Sequence, residues 1–458
     1  MKTIYILIFL GSIAFTSSAQ QNKIDLLIYN ATIYTVDPSF SIASAIAIDK
    51  GKIVEVGKTN DLLKKFNAKD KNDAKGKFIY PGFIDAHSHF YGYGLELQTT
   101  DLVGSLSWDE VISRLKSFAS KNKEGWLMGR GWDQNRWNVK EFPTKEKLDE
   151  LFPDRPVALT RIDGHALIVN QKALDIAGIT AGTKINGGSV DSRNGKLTGV
   201  LIDNAMSLVF PKIPRATESQ VTSALIKAQQ NCFADGLTTV SDCGIGYRQA
   251  LFIDRLQKEG KLKMRIYAML ADATENYNYL FSNGKIKTDR LNVRSFKVYA
   301  DGALGSRGAC LLAPYSDRPD WSGFLLSSQQ HFDSVANIIH QHGFQMCTHA
   351  IGDSGNRVIL NIYASHLKGK NDERWRIEHA QVINENDFDL FGQYSIVPSV
   401  QPTHATSDMY WAEARLGNKR IKGAYAFKQL LDQNSWIPLG TDFPVEDINP
   451  LKTFYAAV

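Results

Sequence analysis

The sequence predicts an α/β protein whose main domain is a parallel barrel of eight strands. One observation is that short apolar or alternating runs recur along the chain with helical patterns between them, which is typical of an α/β barrel. The other is that side chains able to bind a metal follow five of the runs, and the functional groups of such barrels lie where the strands end. The eight runs cover residues 83–86, 237–241, 264–270, 295–299, 344–348, 374–378, 396–400 and 436–440.

Length and composition are those of a globular enzyme. The chain has 458 residues, of which 43% are hydrophobic and 22% charged, a balance that excludes the disordered and fibrous classes. Its formal charge of +5 is small for this size and no basic run resembles a DNA-binding arm, so a nucleic-acid partner is not expected. We expect a small-molecule substrate and, by the usual prior for soluble oligomers, a homodimer.

The N-terminus has the pattern of a secretory signal peptide over residues 1–19. Residues 1–2 (Met-Lys) are a short positive region, residues 4–15 are apolar, and residues 17–19 (Ser-Ser-Ala) form a small-residue cleavage site. The apolar stretch is too short for a membrane span, and no later stretch is long and apolar enough to cross a bilayer. We therefore expect an exported protein, periplasmic or secreted, with no membrane span.

A small β unit precedes the barrel, in residues 20–80. Short alternating runs separated by turn residues predict strands there, and Asp49-Lys50-Gly51 is typical of a turn between two of them. The predicted strands cover residues 24–29, 31–36, 44–49, 52–56 and 77–80.

The region of residues 106–232 interrupts the alternation of strands and helices after the first barrel strand. Helical patterns are mixed there with loops rich in glycine, aspartate and tryptophan. We interpret it as an insertion between barrel strands 1 and 2, within a barrel domain that spans residues 81–458. The helical patterns cover residues 108–120, 145–151, 171–177 and 218–234.

Two histidines follow the first barrel strand, in the segment Asp85-Ala86-His87-Ser88-His89. Side chains two residues apart on a strand point to the same side, so His87 and His89 can bind one cation together. Neutral imidazole is a good ligand for zinc and related metals. A pair of surface histidines after a turn would have the same local pattern, so the decision depends on ligands farther along the chain.

Further candidate ligands lie at the ends of other predicted strands. In the fourth strand Lys297 shares a face with Ser295 and Tyr299, whereas Phe296, Val298 and Ala300 face the covering helices. Any one candidate could be a core or loop residue with satisfied hydrogen bonds, but the set as a whole favours a metal site. The remaining candidates are His349 after the fifth strand, His379 after the sixth, His404 after the seventh and Asp442 after the eighth.

These motifs resemble those of the amidohydrolase superfamily. The segment 81–89, Pro-Gly-Phe-Ile-Asp-Ala-His-Ser-His, is similar to the first-strand signature of that superfamily. The segments at 297–307, 348–353, 376–380 and 439–444 resemble the branch that contains N-substituted formamide deformylase. The resemblance covers nearly the whole mature chain. It implies a distorted (β/α)8 TIM barrel, a small β-sandwich built from the N-terminal strands, and metal-dependent hydrolysis, usually with zinc.

The resemblance also implies a role for each candidate ligand. The two histidines of the first strand and the aspartate of the eighth would hold one zinc ion, and the histidines of the fifth and sixth strands a second. Lys297 would bridge the two ions as a carbamate formed with CO2; an unmodified structural lysine is the alternative. The implied ligand set is His87, His89, Lys297, His349, His379 and Asp442.

Asp442 is the expected catalytic residue. A bound metal ion lowers the pKa of water and polarises a carbonyl group. A carboxylate beside it can take the proton of that water and later deliver it to a leaving amine. The alternative is an aspartate that caps the following helix. Its position directly after Leu439-Gly440-Thr441, at the end of the last strand, favours catalysis.

Four more residues are candidates for the substrate pocket. The resemblance suggests that His165 faces the substrate, and the others lie near glycine-rich segments or strand ends. For each of them, packing or loop stabilisation is an equally open interpretation. They are Trp132, His165, Arg307 and His404, and Asp133, which follows Trp132, is a further candidate.

The predicted function is hydrolysis of a non-peptide carbon–nitrogen bond in an amide, N-acyl or N-formyl compound. An ester, lactone or cyclic-amide hydrolase would use the same site. A non-catalytic binding protein on a barrel scaffold is a third interpretation, because a fold does not determine a function. The complete ligand set argues against that third interpretation, since a degenerate relative would be expected to have lost a ligand.

The four cysteines are expected to be buried thiols rather than disulfides. An even count in an exported protein permits disulfides. These residues are widely scattered, however, and none has metal-ligand spacing to another. They are Cys232, Cys243, Cys310 and Cys347.

The position at which the sequence ends bears on the N-terminal β unit. Proteins of the resembled branch continue past the eighth strand through further helices and then complete the small sandwich. The present sequence ends at Val458. We therefore expect the strands of residues 24–80 to lack their partner strands.

Overall fold

The structure is a computed structural model that describes residues 21–458, so the predicted signal peptide lies outside the described residues. The chain divides into two compact units, one that ends at Gly82 and one that spans Phe83–Val458. Across residues 21–458, every helix is too short or too polar to span a bilayer.

The first unit consists of two small sheets and one helix. Its elements are β1 (Asn22–Tyr29), β2 (Thr32–Tyr34), β3 (Ile42–Ala43), β4 (Ala45–Asp49), β5 (Lys52–Gly57), α1 (Thr59–Lys65), β6 (Phe66–Asp73) and β7 (Phe78–Ile79). Strands β5, β4, β1 and β6 form one sheet in that order, and β3, β2 and β7 form the other. The buried side chains of Leu27, Leu62 and Phe66 lie in the core of the first sheet.

The sequence patterns predicted most strands of this unit but neither α1 nor β6. Strand β6 pairs in parallel with β1 at the edge of the sheet. Only Phe66 and Ala68 of its residues are buried. An edge strand that is charged and exposed along most of its length shows no regular alternation of apolar and polar residues. The pairing with β1, rather than a local pattern, determines this strand.

The second unit opens with the first barrel strand and continues into a separate sheet. Its first elements are β8 (Phe83–Ser88), α2 (Phe90–Glu96), β9 (Thr100–Asp101), α3 (Trp108–Lys121), β10 (Leu127–Trp132), α4 (Glu146–Leu151), β11 (Val157–Arg161), β12 (Ala166–Val169), α5 (Gln171–Ala177), β13 (Gly188–Arg193), β14 (Lys196–Asp203) and α6 (Glu218–Ala234). Strands β13, β14, β12, β11, β10 and β9 form a six-stranded sheet in that order. Helix α6 packs in the same hydrophobic cluster as the barrel strands.

All four predicted helices of this region are present, as α3, α4, α5 and α6. The six strands were not predicted, and the central strands β11, β12 and β14 are covered on both faces. Leu159 and Ile168 belong to one hydrophobic cluster, whereas Ala158 and Leu167 belong to another. A strand that is buried on both faces loses the alternation by which a half-buried strand is recognised.

The remaining elements form the barrel and its helices. They are β15 (Leu237–Ile245), α7 (Tyr247–Lys258), β16 (Arg265–Ala271), α8 (Thr274–Asn283), β17 (Ile286–Lys287), β18 (Leu291–Tyr299), α9 (Gln329–Gln341), β19 (Gln345–Ala350), α10 (Asp353–Leu367), β20 (Arg376–His379), α11 (Phe388–Gln393), β21 (Val397–Ser399), α12 (Pro402–Asp408), α13 (Ala412–Arg420), α14 (Phe427–Asn434) and α15 (Pro450–Ala456). Seven strands pair in parallel in the order β21, β20, β19, β18, β16, β15 and β8. This architecture confirms the predicted α/β barrel.

The eighth predicted strand closes the barrel without forming a regular strand. Leu439 makes a parallel bridge with Val400, and its carbonyl oxygen accepts a hydrogen bond of 3.1 Å from the amide of Ala86 in β8. Pro438 has no amide hydrogen to donate to a ladder, which shortens the segment. Gly440 lies so close to β8 that a Cβ atom there would be 2.5 Å from the amide nitrogen of His87. A residue without a side chain is therefore required at that position.

The two faces of β18 separate as predicted. Phe296, Val298 and Ala300 belong to the main hydrophobic cluster between the barrel and its helices. Lys297 and Tyr299 instead line a cavity at the end of the barrel. The period of two along the strand therefore places the lysine on the inner face, beside the other strand ends.

All four cysteines are free thiols, which confirms the expectation from the sequence. Cys232, Cys243 and Cys347 are buried, and Cys310 is half-buried. Burial, as the largest cause, raises the pKa of both Cys232 and Cys347 to about 12. Thiols with such pKa values are unreactive at neutral pH.

Candidate metal centre

The ends of the barrel strands open into a cavity of about 910 Å³. His89, Lys297, His349, His379 and Asp442 all contribute to its lining, although they come from five different strand ends. Loops of the six-stranded sheet form the opposite wall. The cavity therefore brings together five of the six residues that the sequence analysis selected as metal ligands, and the sixth, His87, is fully buried.

The first group of candidate ligands is His87, His89 and Asp442. One ligand atom from each lies within 4.8 Å of the other two. Oδ1 of Asp442 is 3.4 Å from Nε2 of His87 and 3.2 Å from Nε2 of His89. Two imidazole nitrogens and one carboxylate oxygen are a ligand set that suits zinc and related divalent metals.

Asp85 fixes the position of Asp442 relative to the histidines. Its Oδ1 accepts hydrogen bonds from the amides of His87 at 3.0 Å and Thr441 at 3.1 Å, and its Oδ2 accepts one from the Thr441 hydroxyl at 2.7 Å. Burial, as the largest cause, raises the pKa of Asp85 to about 7. Asp85 lies inside the first-strand motif. It accepts hydrogen bonds from backbone amides and belongs to none of the candidate ligand groups found in residues 21–458.

Glu378 is a candidate functional residue that the sequence analysis did not select. Its Oε2 lies 2.6 Å from Nδ1 of His87 and accepts a hydrogen bond of 2.8 Å from Nη2 of Arg376. Burial alone would raise the pKa of Glu378, but Arg376 and then His87 lower it far below its usual range. An ionised Glu378 directs Nε2 of His87 toward Asp442, as outer carboxylates do in histidine–metal sites.

The backbone at His379 explains why Glu378 was overlooked. Neighbouring residues on a strand point to opposite faces, so His379 and Glu378 were not expected on the same side of the barrel. His379 has a φ of 71° and Ala380 a φ of 43°, both in the left-handed region. The turn in the backbone directs the imidazole into the cavity while Glu378 remains inside the barrel.

The histidines form a continuous cluster around Asp442. The ring centres of His87 and His379 are 4.8 Å apart, and those of His349 and His379 are 4.5 Å apart. His404 contacts Asp442 from the other side, with its Nε2 3.2 Å from Oδ2 of the carboxylate. Burial alone would raise the pKa of Asp442, but His87 first, and then His404, His89 and His379, hold it well below its usual range.

Lys297 is fully buried beside this cluster, with its Nζ 4.3 Å from the ring centre of Tyr299. Burial opposes the charged form, but Tyr299, Cys243 and the carboxylates of Glu378 and Asp442 outweigh burial, so the pKa of Lys297 is raised. In the absence of cations the lysine therefore keeps its proton.

The buried polar atoms at the centre test whether these residues fit a metal. Within residues 21–458, the buried polar atoms without a hydrogen-bond partner include His87 Nε2, Lys297 Nζ, His379 Nδ1 and Asp442 Oδ1. Buried polar atoms are normally paired, because an unpaired one costs about 1–3 kcal/mol. Imidazole nitrogens and a carboxylate oxygen that converge in this way fit divalent cations.

The four predicted pocket residues are placed differently by the structure. His165 and His404 line the cavity. Trp132 does not line it: its buried indole donates a hydrogen bond of 2.8 Å to the Leu159 carbonyl in the core of the six-stranded sheet. Arg307 lies outside the described lining as well and pairs with Asp317 at 2.9 Å.

The local backbone explains why Trp132 and Arg307 do not line the cavity. Asp133, the residue after Trp132, lies on the cavity wall, since successive side chains of a strand alternate between faces. The loop residues 303–305 line the cavity before the chain turns away at Arg307, which has a φ of 62°. Of the predicted pair Trp132-Asp133, Asp133 therefore lines the wall and Trp132 does not, and residues 303–305 line it instead of Arg307.

His165 lies on the wall that faces the metal centre. Its Nδ1 is 2.6 Å from Oδ1 of Asp203, and its ring centre is 5.1 Å from that of His349. Burial lowers the pKa of His165, but Asp203 outweighs burial and raises it above the ordinary value. Asp203 comes from β14, so the six-stranded sheet positions a basic group opposite the candidate ligands.

Comparisons with known proteins agree with this geometry. Residues 72–458 match the profile described as the amidohydrolase family. The chain is 35% identical over 454 residues to Protein LONG AFTER FAR-RED 3 of Arabidopsis thaliana, covering 95% of this chain and 78% of that protein. It is 31% identical over 437 residues to YtcJ of Bacillus subtilis (strain 168), named provisionally as an amidohydrolase, covering 93% of this chain and 82% of YtcJ.

One further relative and one solved structure extend the comparison. The N-substituted formamide deformylase of Arthrobacter pascens is 25% identical over 462 residues, covering 95% of this chain and 83% of the deformylase. The crystal structure of an uncharacterized metal-dependent hydrolase from Pyrococcus horikoshii OT3 superposes with a TM-score of 0.76 at 29% identity, covering 94% of this chain and 86% of that one. The family match spans most of the sequence and includes the strand ends that converge on Asp442. The chain therefore belongs to the amidohydrolase family of metal-dependent hydrolases.

Proposed function

We propose that this hydrolase cleaves a non-peptide carbon–nitrogen bond in an amide, N-acyl or N-formyl small molecule, and that its metal is zinc. The observation that carries the proposal is the position of Asp442. Its two carboxylate oxygens lie 3.2 to 3.4 Å from the Nε2 atoms of His87, His89 and His404, at the base of the cavity. A carboxylate so placed can bind a cation and exchange a proton with a substrate.

His87, His89 and Asp442 would hold the first zinc ion, and His349 and His379 would hold a second. A bound zinc ion makes water acidic enough to react near neutral pH and polarises the substrate carbonyl. Asp442 accepts the proton released from the attacking water. It then donates that proton to the nitrogen of the leaving group, because an amine anion is too basic to leave unprotonated.

We propose that Lys297 becomes a carbamate when cations are bound. A carbamate forms when a neutral amine attacks CO2 and releases a proton. The carboxylates of Glu378 and Asp442 favour the ammonium form. A cation beside those carboxylates reduces their attraction for the ammonium group, so carbamate formation and metal binding are coupled. An unmodified lysine that balances these carboxylates is the alternative.

We favour a carbon–nitrogen bond over an ester as the bond that is cleaved, because one relative is named for the hydrolysis of such a bond. The Arthrobacter relative is named for N-substituted formamides, and it aligns with 95% of this chain. Esters, lactones and cyclic amides are hydrolysed by the same chemistry and form the second candidate class. A non-catalytic binding protein would not need to retain the ligand set around Asp442.

The test is a matched screen of substrates on zinc-loaded enzyme. We expect N-formyl and N-acyl amines to be hydrolysed with higher kcat/KM than esters of the same acyl group, corrected for the uncatalysed rates. Chelation of zinc should abolish this activity, and restored zinc should return it. Faster turnover of the matched esters or lactones would assign the second class. Metal-loaded enzyme that binds these compounds without turnover would contradict the proposal.

We also propose that the protein is exported. The proposal rests on the signal-peptide pattern of residues 1–19. Expression of the full chain in a bacterial host, followed by cell fractionation, should place a shortened protein outside the cytoplasm, with its new N-terminus at Gln20. Full-length protein retained in the cytoplasm would contradict export.

A further inference from the structure

Asp203 and His165 are tied together at the end of the six-stranded sheet. His165 directly precedes β12, Asp203 is the last residue of β14, and the two strands pair antiparallel. The amide of Asp203 donates a hydrogen bond of 3.0 Å to the His165 carbonyl oxygen. Oδ1 of Asp203 lies 2.6 Å from Nδ1 of the His165 ring. The backbone and the side chain of Asp203 therefore both fix His165.

The backbone of Asp203 is strained. Its φ is 51° and its ψ is −123°, a combination that residues with a side chain rarely adopt. A conformation of this kind costs about 1–3 kcal/mol, persists only where the surroundings impose it, and is found most often at functional sites. The next residue supplies part of that constraint, because Nδ2 of Asn204 donates a hydrogen bond of 2.9 Å to the Leu326 carbonyl oxygen in the segment between β18 and α9.

The loop after β18 has room for the Asp203 carboxylate because two of its residues are glycines. A Cβ atom at Gly302 or at Gly308 would overlap Oδ2 of Asp203. The side chain of Asp203 is fully buried, and Oδ2 has no hydrogen-bond partner within residues 21–458. A buried carboxylate with one unpaired oxygen is a costly way to pack the end of a strand, which favours a functional reason for its position.

His165 is held with its Nε2 side toward the cavity. Its amide donates a hydrogen bond of 3.0 Å to Oδ1 of Asp163, and Asp163 pairs with the buried guanidinium of Arg161. Because Nδ1 is turned to Asp203, Nε2 lies on the opposite side of a ring that is 15% exposed and lines the cavity. The ring centre is 5.1 Å from that of His349, a candidate zinc ligand. A substrate bound to the zinc ions would therefore lie within reach of Nε2.

We propose that Asp203 is a positioning residue, which holds His165 so that Nε2 of the ring makes a hydrogen bond with the group that is being hydrolysed. This inference rests on the proposed function for the presence of a reacting bond beside the zinc ions. It extends the role of His165 from the pocket wall to the reaction itself. His165 is then a catalytic residue, whereas Asp203 acts only through His165.

The hydrogen bond from His165 is expected to act on kcat rather than on KM. The charge on the reacting group changes while water attacks it, and a contact that is strongest at that stage raises kcat. Removing one preorganised hydrogen bond to a reacting group lowers kcat by about 10²- to 10³-fold. A residue that only shaped the wall of the cavity would bind the ground state and the transition state equally, so its loss would raise KM and leave kcat unchanged.

The experiment compares zinc-loaded variants on the substrate that wild type hydrolyses fastest, whatever bond that substrate contains. His165→Asn keeps a polar atom near the position of Nδ1 but removes Nε2, whereas His165→Gln places a polar atom near the position of Nε2. Asp203→Asn keeps the size of the side chain and removes its charge, and a double variant combines Asp203→Asn with His165→Asn. The controls are His331→Gln and Asp333→Asn, which change partly exposed members of two other histidine–aspartate pairs. Circular dichroism and zinc per chain are measured for each variant.

We expect every variant to keep the zinc content of wild type, and both controls to keep its kcat. His165→Asn should lower kcat by about 10²- to 10³-fold, and His165→Gln should lower it less. Asp203→Asn should lower kcat by at least about 10-fold, because the orientation of the ring is no longer fixed. The double variant should be no slower than His165→Asn, since a positioning residue has no effect once the group that it positions is gone.

Several outcomes would overturn the proposal. A kcat of folded His165→Asn within about threefold of the wild-type value, a loss confined to KM, or equal losses in His165→Asn and His165→Gln would exclude the contact through Nε2. A double variant much slower than His165→Asn, or an Asp203→Asn variant that unfolds or loses zinc, would make Asp203 a structural residue. Wild type that hydrolyses esters but not amides would contradict the proposed function alone, because the variants are then compared on the ester. Wild type that hydrolyses neither would contradict both.

Discussion

Replacing Asp442 with asparagine is expected to lower kcat/KM by roughly 10³-fold, the scale of a lost general acid–base group. The amide keeps the size of the side chain but cannot accept the proton of the attacking water. It also replaces one anionic oxygen by an NH2 group that faces the histidine Nε2 atoms, so we expect bound zinc to fall as well. Steady-state kinetics on zinc-reloaded enzyme measures the effect.

The matched control for Asp442→Asn is Asp432→Asn. Asp432 lies on the exposed side of α14 (Phe427–Asn434) and pairs with Lys428. Exposed pairs of this kind contribute about 0–1 kcal/mol to stability, so the control should keep full activity and full zinc content. If the kcat/KM of Asp442→Asn were within about threefold of the wild-type value, Asp442 would not be the group that transfers the proton, because loss of such a group has a much larger effect.

Replacing Glu378 with alanine is expected to destabilise the metal-free protein by about 3–5 kcal/mol, because it leaves a buried cation without its partner. Arg376 is 8% exposed and contacts Glu378 through two atoms, Nε to Oε1 at 2.6 Å and Nη2 to Oε2 at 2.8 Å. His87 loses its outer carboxylate at the same time. Urea-induced unfolding in the presence of a chelator measures the change in the free energy of unfolding.

The double variant Arg376→Met/Glu378→Leu separates the two contributions. It removes both charges, and uncharged side chains of similar volume often replace a buried ion pair without loss of stability. We expect it to be more stable than Glu378→Ala, although Arg376 also donates to the Ala86 carbonyl at 2.7 Å and to the Ser399 hydroxyl at 2.6 Å. A single Glu378→Ala variant as stable as wild type would contradict a structural charge pair at this site.

The barrel and the position of the first candidate ligands could be predicted from the sequence because both depend on local patterns. The alternation along residues 295–299 placed Lys297 on the inner face, and His87 and His89 are two residues apart at the end of one strand. Local alternation fails at His379. Its backbone is left-handed, so its side chain does not point to the face that alternation along the strand predicts. Local alternation cannot reveal a change in backbone direction, so Glu378 was not selected.

The position of His404 also required the folded structure. It lies 38 residues before Asp442 in the sequence, and its second carboxylate partner, Glu446, is 42 residues away. The sequence assigned His404 to the pocket wall because nothing in residues 401–404 specifies these partners. The closing segment after Pro438 brings Asp442 and Glu446 to opposite nitrogens of the same ring.

Contacts between distant parts of the chain also explain why two predicted pocket residues do not line the cavity. Trp132 and Arg307 lie next to glycines, which suggested loops that contact a substrate. Trp132 instead ends a strand of a sheet that is buried on both faces, and Arg307 follows a turn away from the cavity. The pattern of a doubly covered sheet depends on packing between elements that are distant in sequence.

The zinc content of wild type and His87→Ala is the measurement that tests the central claim most directly. The claim is that His87, His89 and Asp442 bind a catalytic metal ion at the ends of the barrel strands. We expect zinc-reloaded wild type to contain bound zinc that survives gel filtration, and folded His87→Ala to lose the ion of the first site together with hydrolytic activity. Folded wild type that retains no zinc or other divalent metal after reloading, or His87→Ala with unchanged metal content, would contradict the claim.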